Sequence, residues 1–293
     1  MPPRAEPLGA PTLTGLTCTH FAWAPLAGVS DRAAILLPGT LNGSPAVFQL
    51  DSGADANFLL GGAEAWPELP LIEGARPGSP RTARVDITLG EISNPQMLLM
   101  LMAGQQRSTE PTDPVGSLGL PYFRHKVVAI DFPHQQFCVS AALPQDLERR
   151  TTFVPAAVRG GKLMVPIEIN GAVYDSFAYD TGFSVADVAT DLELWLKLTG
   201  KATPDDADRT FLIQRFGATV SLNRAATTGP MRIAGVALAH GKVDVLPTSP
   251  GMYVDMGRQM GITFQGAIGN APFLDRIVVI DMREEGAYRF GVA

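Results

Sequence analysis

Two short stretches hold the residues best suited to chemistry. Asp51-Ser52-Gly53 and Asp180-Thr181-Gly182 each put a carboxylate at the end of an apolar strand, VFQL in the first case and SFAY in the second. A single Asp-Ser/Thr-Gly triplet turns up by chance about one time in ten in a chain of this length, and it then usually forms an Asx-type turn. A turn aspartate sits among polar, glycine and proline residues, yet Asp51 follows Phe48 and Leu50, and Asp180 follows Phe177 and Tyr179. An unpaired charge at such a place is costly. The cost falls if the two carboxylates meet, because two like charges a few ångströms apart hold one proton between them. One member is then a base and the other an acid at the same pH. Such a pair can take a proton from a bound water and give one to a leaving group, with neither metal nor covalent intermediate. The neighbouring hydroxyls can fix one loop to the other, and the glycines let the backbone approach the acids.

The elements that position these triplets repeat. AAILLPGTLNGSPAVFQLDSGA (33–54) and GKLMVPIEINGAVYDSFAYDTGFS (161–184) share an apolar strand with a proline, an Asn-Gly, and a second strand ending on the triplet. Asn42-Gly43 and Asn170-Gly171 each predict a type I′ hairpin. GSLGLPYFRHKVVAID (116–131) and GAIGNAPFLDRIVVID (266–281) align without a gap, and the lengths between the matched ends differ. One ancestral unit duplicated, with loops free to vary, accounts for this pattern.

Within each copy the pattern is mainly strand. Val85, Ile87 and Leu89 alternate with polar residues, MLLMLM (97–102) predicts a buried strand, and VDVL (243–246) takes the equivalent place in the second copy. A helix is expected over 185–199, with capping-box-like spacing at Ser184 and Asp187 and a stop at Gly200. The chain divides into an arm and first strand (1–32), a first lobe (33–145), a linker (146–160) and a second lobe (161–293).

The bulk composition narrows the function classes. The chain has 293 residues, 46% of them apolar, and a net charge of −6, so it has ample core material. There is no basic stripe to track nucleic acid and no apolar run long enough to span a bilayer. MPPRAEPLGAPTLTG at the start has no continuous apolar segment and does not read as a signal peptide. The expectation is a cytoplasmic location as written, or a periplasmic or secreted one if a signal preceded this numbering. Cys18 and Cys138 are expected to be two inert thiols, with one disulfide as the alternative. The four histidines are scattered without paired-ligand spacing, so no metal or cofactor is expected. Asp131 and Asp281, ending apolar strands at matched places, are expected to cap turns or bond backbone amides.

LDSGAD (50–55), YDTGFS (179–184), the Leu118-Gly119 and Ile268-Gly269 elements and the two VxID endings together resemble the aspartic peptidases of the retropepsin and pepsin type. The resemblance covers most of 33–141 and 161–292. It implies an all-β chain, mainly strand with short helices, in which two tandem retropepsin-like β-barrel lobes take a pepsin-like bilobal layout. It implies peptide-bond hydrolysis by Asp51 and Asp180, supported by Ser52, Gly53, Thr181, Gly182, Gly119 and Gly269. Ala54, Asp55 and Phe183 are the expected substrate-binding residues. Because one chain carries both acids, a monomer acting on a peptide or protein substrate is expected. Three departures stand out. Phe183 occupies a place where the family has a small residue. Leu120 and Asn270 stand where retropepsins often have arginine, so Asp55 lacks that partner. No tyrosine precedes Tyr122 to serve as a flap residue, and the flap is placed in IEGARPGSPRTAR (72–84). The alternative, resting on Phe183, is a catalytically inactive peptide-binding or regulatory protein on the same fold.

Overall fold

The computed structural model describes residues 13–74, 79–215 and 218–293. The chain is mainly β, and the two copies build their lobes by the same plan. In the first, Ser30–Leu41 and Ser44–Leu50 form a hairpin across Asn42-Gly43, whose φ values of 49° and 83° are those a type I′ turn needs. The second strand pairs in parallel with Gly116–Leu118, which pairs antiparallel with Phe58–Leu60, which runs parallel to the end of Ile92–Met102. In the second copy, Lys162–Ile169 and Ala172–Tyr179 turn at Asn170-Gly171, with φ of 53° and 79°. Ala172–Tyr179 then pairs in parallel with Gly266–Ile268, followed by antiparallel Val188–Thr190 and parallel Lys242–Val245. The order of partners and their directions match strand for strand, as a duplicated unit requires.

A third sheet joins the lobes. Its order is Thr17–His20, Gln136–Ser140, Val127–Asp131, Ile277–Asp281, Arg289–Val292, Thr152–Pro155. At its centre the two VxID strands pair with each other. Ala129 lies opposite Val279, Val127 opposite Asp281 and Asp131 opposite Ile277, so the register is symmetric about Ala129 and Val279. All ten residues are buried, which explains why these strands are nearly all apolar rather than alternating. The segment 146–160 carries most of a short helix, Gln145–Arg150, and the strands Thr152–Pro155 and Ala157–Arg159.

Val85, Ile87 and Leu89 face inward along Thr82–Leu89 and Met97–Met102 lie in a strand, as their patterns predict. Two expectations are corrected. The helix runs over Leu192–Thr199 and not from residue 185. Val188–Thr190 is instead a fully buried strand, where neighbouring strands satisfy its backbone groups and two β-branched side chains pack well. The residues expected to cap the longer helix have other partners. Asn270 donates to the Ser184 hydroxyl at 2.7 Å, and the Lys242 N–H donates to the Asp187 carboxylate at 2.6 Å. Gly200 does end the helix, in the left-handed conformation at φ 68°.

The cysteines are the second correction. Cys18 and Cys138 form a disulfide across paired strands, not two inert thiols. Only register in the third sheet brings positions 120 apart face to face. The bond fastens the edge strand Thr17–His20 to its neighbour.

Of the proposed flap, Leu71–Ile72 pairs with Thr82–Ala83 and an ion pair joins Glu73 to Arg81. Residues 75–78 of that segment, and residues 1–12 of the arm, lie outside the described residues. Trp66 and Trp195 are buried, and the Trp195 indole donates to the Val243 carbonyl at 2.9 Å. Among the described residues, no helix is long and apolar enough to cross a membrane.

Asp131 accepts the His134 backbone N–H at 3.1 Å, as expected of a turn cap. Asp281 does more. Burial works to raise its pKa, but hydrogen bonds from Arg283 and Arg289, at 2.8–3.3 Å, outweigh burial and hold it at about 2. The native state therefore favours the anion. That stabilisation is complete above the unfolded value near 4 and is lost as pH falls through 2. Asp281→Asn is expected to cost about 2 kcal/mol at pH 7, with the gap to wild type closing as pH approaches 2. Urea unfolding of both proteins at the two pH values measures it.

Candidate active site

The parallel pairs Leu50–Leu118 and Tyr179–Ile268 end at equivalent points, and the two triplets leave the sheets there. The Asp51 N–H donates to the Leu118 carbonyl at 3.0 Å, and the Asp180 N–H donates to the Ile268 carbonyl at 2.9 Å. Each loop thus hangs from the apolar strand that precedes its second glycine element. Behind the first loop, the Gly119 N–H donates to the Asn57 side chain at 2.9 Å and the Leu120 N–H to the Ala54 carbonyl at 2.8 Å. Behind the second, the Gly269 N–H donates to the Asp187 carbonyl and the Asn270 N–H to the Phe183 carbonyl, both at 2.9 Å. A Cβ at Gly119 or Gly269 would overlap carbonyl oxygens of the loop in front of it. Glycine is required there for the close approach of two backbones.

The loops then lock together across the lobes. The Ser52 N–H donates to the Thr181 hydroxyl at 2.8 Å, and the Thr181 N–H donates to the Ser52 hydroxyl at 3.0 Å. The Ser52 hydroxyl in turn donates to the Tyr179 carbonyl at 2.8 Å. Both side chains are fully buried, and a buried polar group left unpaired is expensive, so the reciprocal pair fixes the spacing of the loops.

That spacing sets Asp51 and Asp180 against each other, close enough for each to act on the other's charge. Each carboxylate also accepts an amide of its own loop, Ala54 N–H to Asp51 at 3.1 Å and Gly182 N–H to Asp180 at 2.9 Å. Each also rests on the opposite loop's glycine. A Cβ at Gly53 would overlap the Asp180 carboxyl, and one at Gly182 would lie 3.0 Å from that of Asp51. Burial, followed by the charge of Asp51, pushes Asp180 up to about 7. Burial also raises Asp51, against hydrogen bonds from Asp180 and the loop amides and the charge of Lys162. Two acids so placed favour holding one proton between them over carrying two charges.

The remaining expected residues are placed as follows. Phe183 forms a wall of a cavity of about 480 Å³ that also takes in Asp180, Ala34, Leu222, Val245 and Tyr253. The ring lines this space and leaves it open. Asp55 is exposed, packs against Gly161 of the second copy, and borders a separate cavity of about 670 Å³ with Asn94, Tyr122 and Lys126. Ala54 contributes its amide to Asp51.

Two further residues take part that the sequence reading gave no role in the site. Asn270, at an expected arginine position, is fully buried. It donates to the Thr181 carbonyl at 2.9 Å and the Ser184 hydroxyl at 2.7 Å, and accepts from the Tyr179 hydroxyl at 2.6 Å. It braces the second loop from behind. Lys162 is buried and donates to the Gly53 carbonyl. The duplication contained a signal for it, since Lys162 aligns with Ala34 and is the charged member of that matched pair.

No family model matches the chain, and no curated protein matches it significantly. Among solved structures it is similar to an aspartic proteinase from Irpex lacteus, with 11% identity and a TM-score of 0.48, over 95% of this chain and 97% of the other.

A carboxyl whose folded-state pKa is raised stabilises the native state below its unfolded value and loses that contribution as pH rises to the folded value. For Asp180 the window runs from about 4 to about 7. Asp180→Asn, which cannot titrate, is expected to gain thermal stability relative to wild type across that window, by several degrees at pH 7. Thermal unfolding at pH 4 and pH 7 reads this, and an equal difference at both pH values would exclude a raised Asp180.

Proposed function

We propose that the protein is an aspartic endopeptidase that hydrolyses peptide bonds with a water activated between Asp51 and Asp180. The observation that supports this best is the facing pair of half-buried carboxylates, one from each copy, at loops pinned by Ser52 and Thr181. In the singly protonated pair Asp180 carries the proton and Asp51 is the base. Asp51 takes a proton from the water as its oxygen attacks the peptide carbonyl carbon, and Asp180 protonates the carbonyl oxygen. The tetrahedral diol then collapses. Asp51 returns its proton to the leaving nitrogen, Asp180 regains one from a diol hydroxyl, and the C–N bond breaks. Ser52, Thr181, Gly119 and Gly269 support the geometry from behind, while Gly53 and Gly182 lie against the carboxyls themselves.

The apolar cavity beside Asp180 suits a substrate with a large apolar side chain next to the scissile bond. Both acids come from one chain, so a monomer is a complete catalyst in this reading. The inactive-binder alternative rested on Phe183, and the open cavity that Phe183 lines leaves it without a favouring observation.

Asp51→Asn and Asp180→Asn are each expected to lower kcat/KM on a mixed peptide library by about 10²–10⁴-fold or more, with wild-type cleavage concentrated beside large apolar residues. The wild-type profile should fall on its alkaline side with a midpoint of about 7. Undiminished cleavage by either variant would remove the dyad from the reaction.

A further inference from the structure

The duplicated copies approach the two acids from opposite sides, and they do so unequally. On one side, the strand Ser30–Leu41 brings Ala33 and Ala34 against the second loop. The Ser184 N–H donates to the Ala33 carbonyl at 3.1 Å, and Ala34 leaves the apolar cavity open. On the other side, the matched strand Lys162–Ile169 brings Gly161 against Asp55 and Lys162 against the first loop. Where the first copy has a methyl group, the second has an ammonium.

Lys162 is 7% exposed. Among the described residues it forms no ion pair, and its hydrogen bond goes to the Gly53 carbonyl, two residues from Asp51. A buried cation held only by a carbonyl needs a compensating negative charge nearby, and the dyad supplies it. The charge of Lys162 acts to lower both carboxyls, and its tether lies on the loop that carries Asp51. The other charged and titratable groups around the site are engaged elsewhere. Asp55 is exposed on the first loop, and the Tyr179 hydroxyl donates to Asn270. Asp187 accepts the Lys242 amide, Asp191 accepts the Tyr253 and Val254 amides, and Asp244 pairs bidentately with Arg224 at 2.7 and 2.8 Å.

We infer that Lys162 is a positioning residue whose fixed positive charge, tethered to the Gly53 carbonyl beside Asp51 and absent from the matched Ala34 side, keeps Asp51 the ionised member of the pair and leaves the proton on Asp180. The duplication makes the two acids near-equivalents, and this one substitution between the copies gives them different roles. The inference rests on the peptidase reading for its catalytic meaning, but its electrostatic content holds for the free protein.

Three variants separate charge from tether. Lys162→Gln keeps an N–H donor for Gly53 and loses the charge. Lys162→Arg keeps the charge, and Lys162→Met loses both. The direct readout is titration of the dyad by carboxyl NMR in protein labelled at aspartate, without substrate, with Asp51→Asn and Asp180→Asn for assignment. Removing a cation favours the neutral form of nearby acids, so Lys162→Gln and Lys162→Met are expected to move the dyad's titration up by about one pH unit or more, and Lys162→Arg to leave it near wild type. In turnover, both limbs of the pH–rate profile should move the same way, with an approximately tenfold loss of kcat/KM on the acid side in Lys162→Gln. A structural tether alone predicts the opposite ranking, with Lys162→Gln behaving as wild type. An unchanged titration in folded Lys162→Gln overturns the inference whatever the activity. A titration that moves while neither protein cleaves peptides supports the counter-charge and removes the peptidase reading instead.

Discussion

Two half-buried carboxyl groups in contact repel each other unless they share a proton, and everything around Asp51 and Asp180 follows from holding them together despite that repulsion. The restraint is the exchange of hydrogen bonds between Ser52 and Thr181, in which each backbone N–H donates to the other lobe's hydroxyl. Because both residues are inaccessible to water, separating the loops would leave two amides and two hydroxyls unsatisfied. The acids stand directly before these residues, so their spacing is inherited from the lock.

The lock works because its supports are built twice. Each loop hangs from a parallel strand pair that ends at the same register, and each is backed by a glycine that admits the loop carbonyls where a methyl group would collide. The third sheet carries the symmetry through the body. Its two central strands pair about Ala129 and Val279, so the lobes are aligned by a continuous, fully buried ladder rather than by surface contact. The charges that end these strands are each met by a partner, Asp281 by Arg283 and Arg289 and Asp131 by His134.

Symmetry alone would make the acids interchangeable, and the departures from it are chemically informative. Ala34 leaves an apolar cavity beside Asp180, while Lys162 fills the matched position beside Asp51 with a cation. Asn270 braces only the second loop, while Asn57 holds the first through the Gly119 amide. The copies differ most where a reaction needing one acid and one base requires difference.

Sequence by itself determined a great deal here. The two Asn-Gly turns, the strand alternation along Thr82–Leu89, the nearly all-apolar VxID strands and the paired Asp-Ser/Thr-Gly elements are local patterns, and local backbone preference with burial suffices to read them. The duplication then supplied long-range information, because matched motifs imply matched surroundings. Tertiary structure decided what local pattern leaves open. Residues 185–190 have helical spacing, yet flanking strands claim Val188–Thr190, because satisfying a buried backbone outweighs a weak helical preference. Cys18 and Cys138 become partners only through the register of a sheet assembled from both ends of the chain. Lys162 and Asn270 reach the loops from positions distant in sequence, and the physical reason is the same for both. A buried polar or charged group takes its meaning from the partner that satisfies it, and that partner is chosen by the fold.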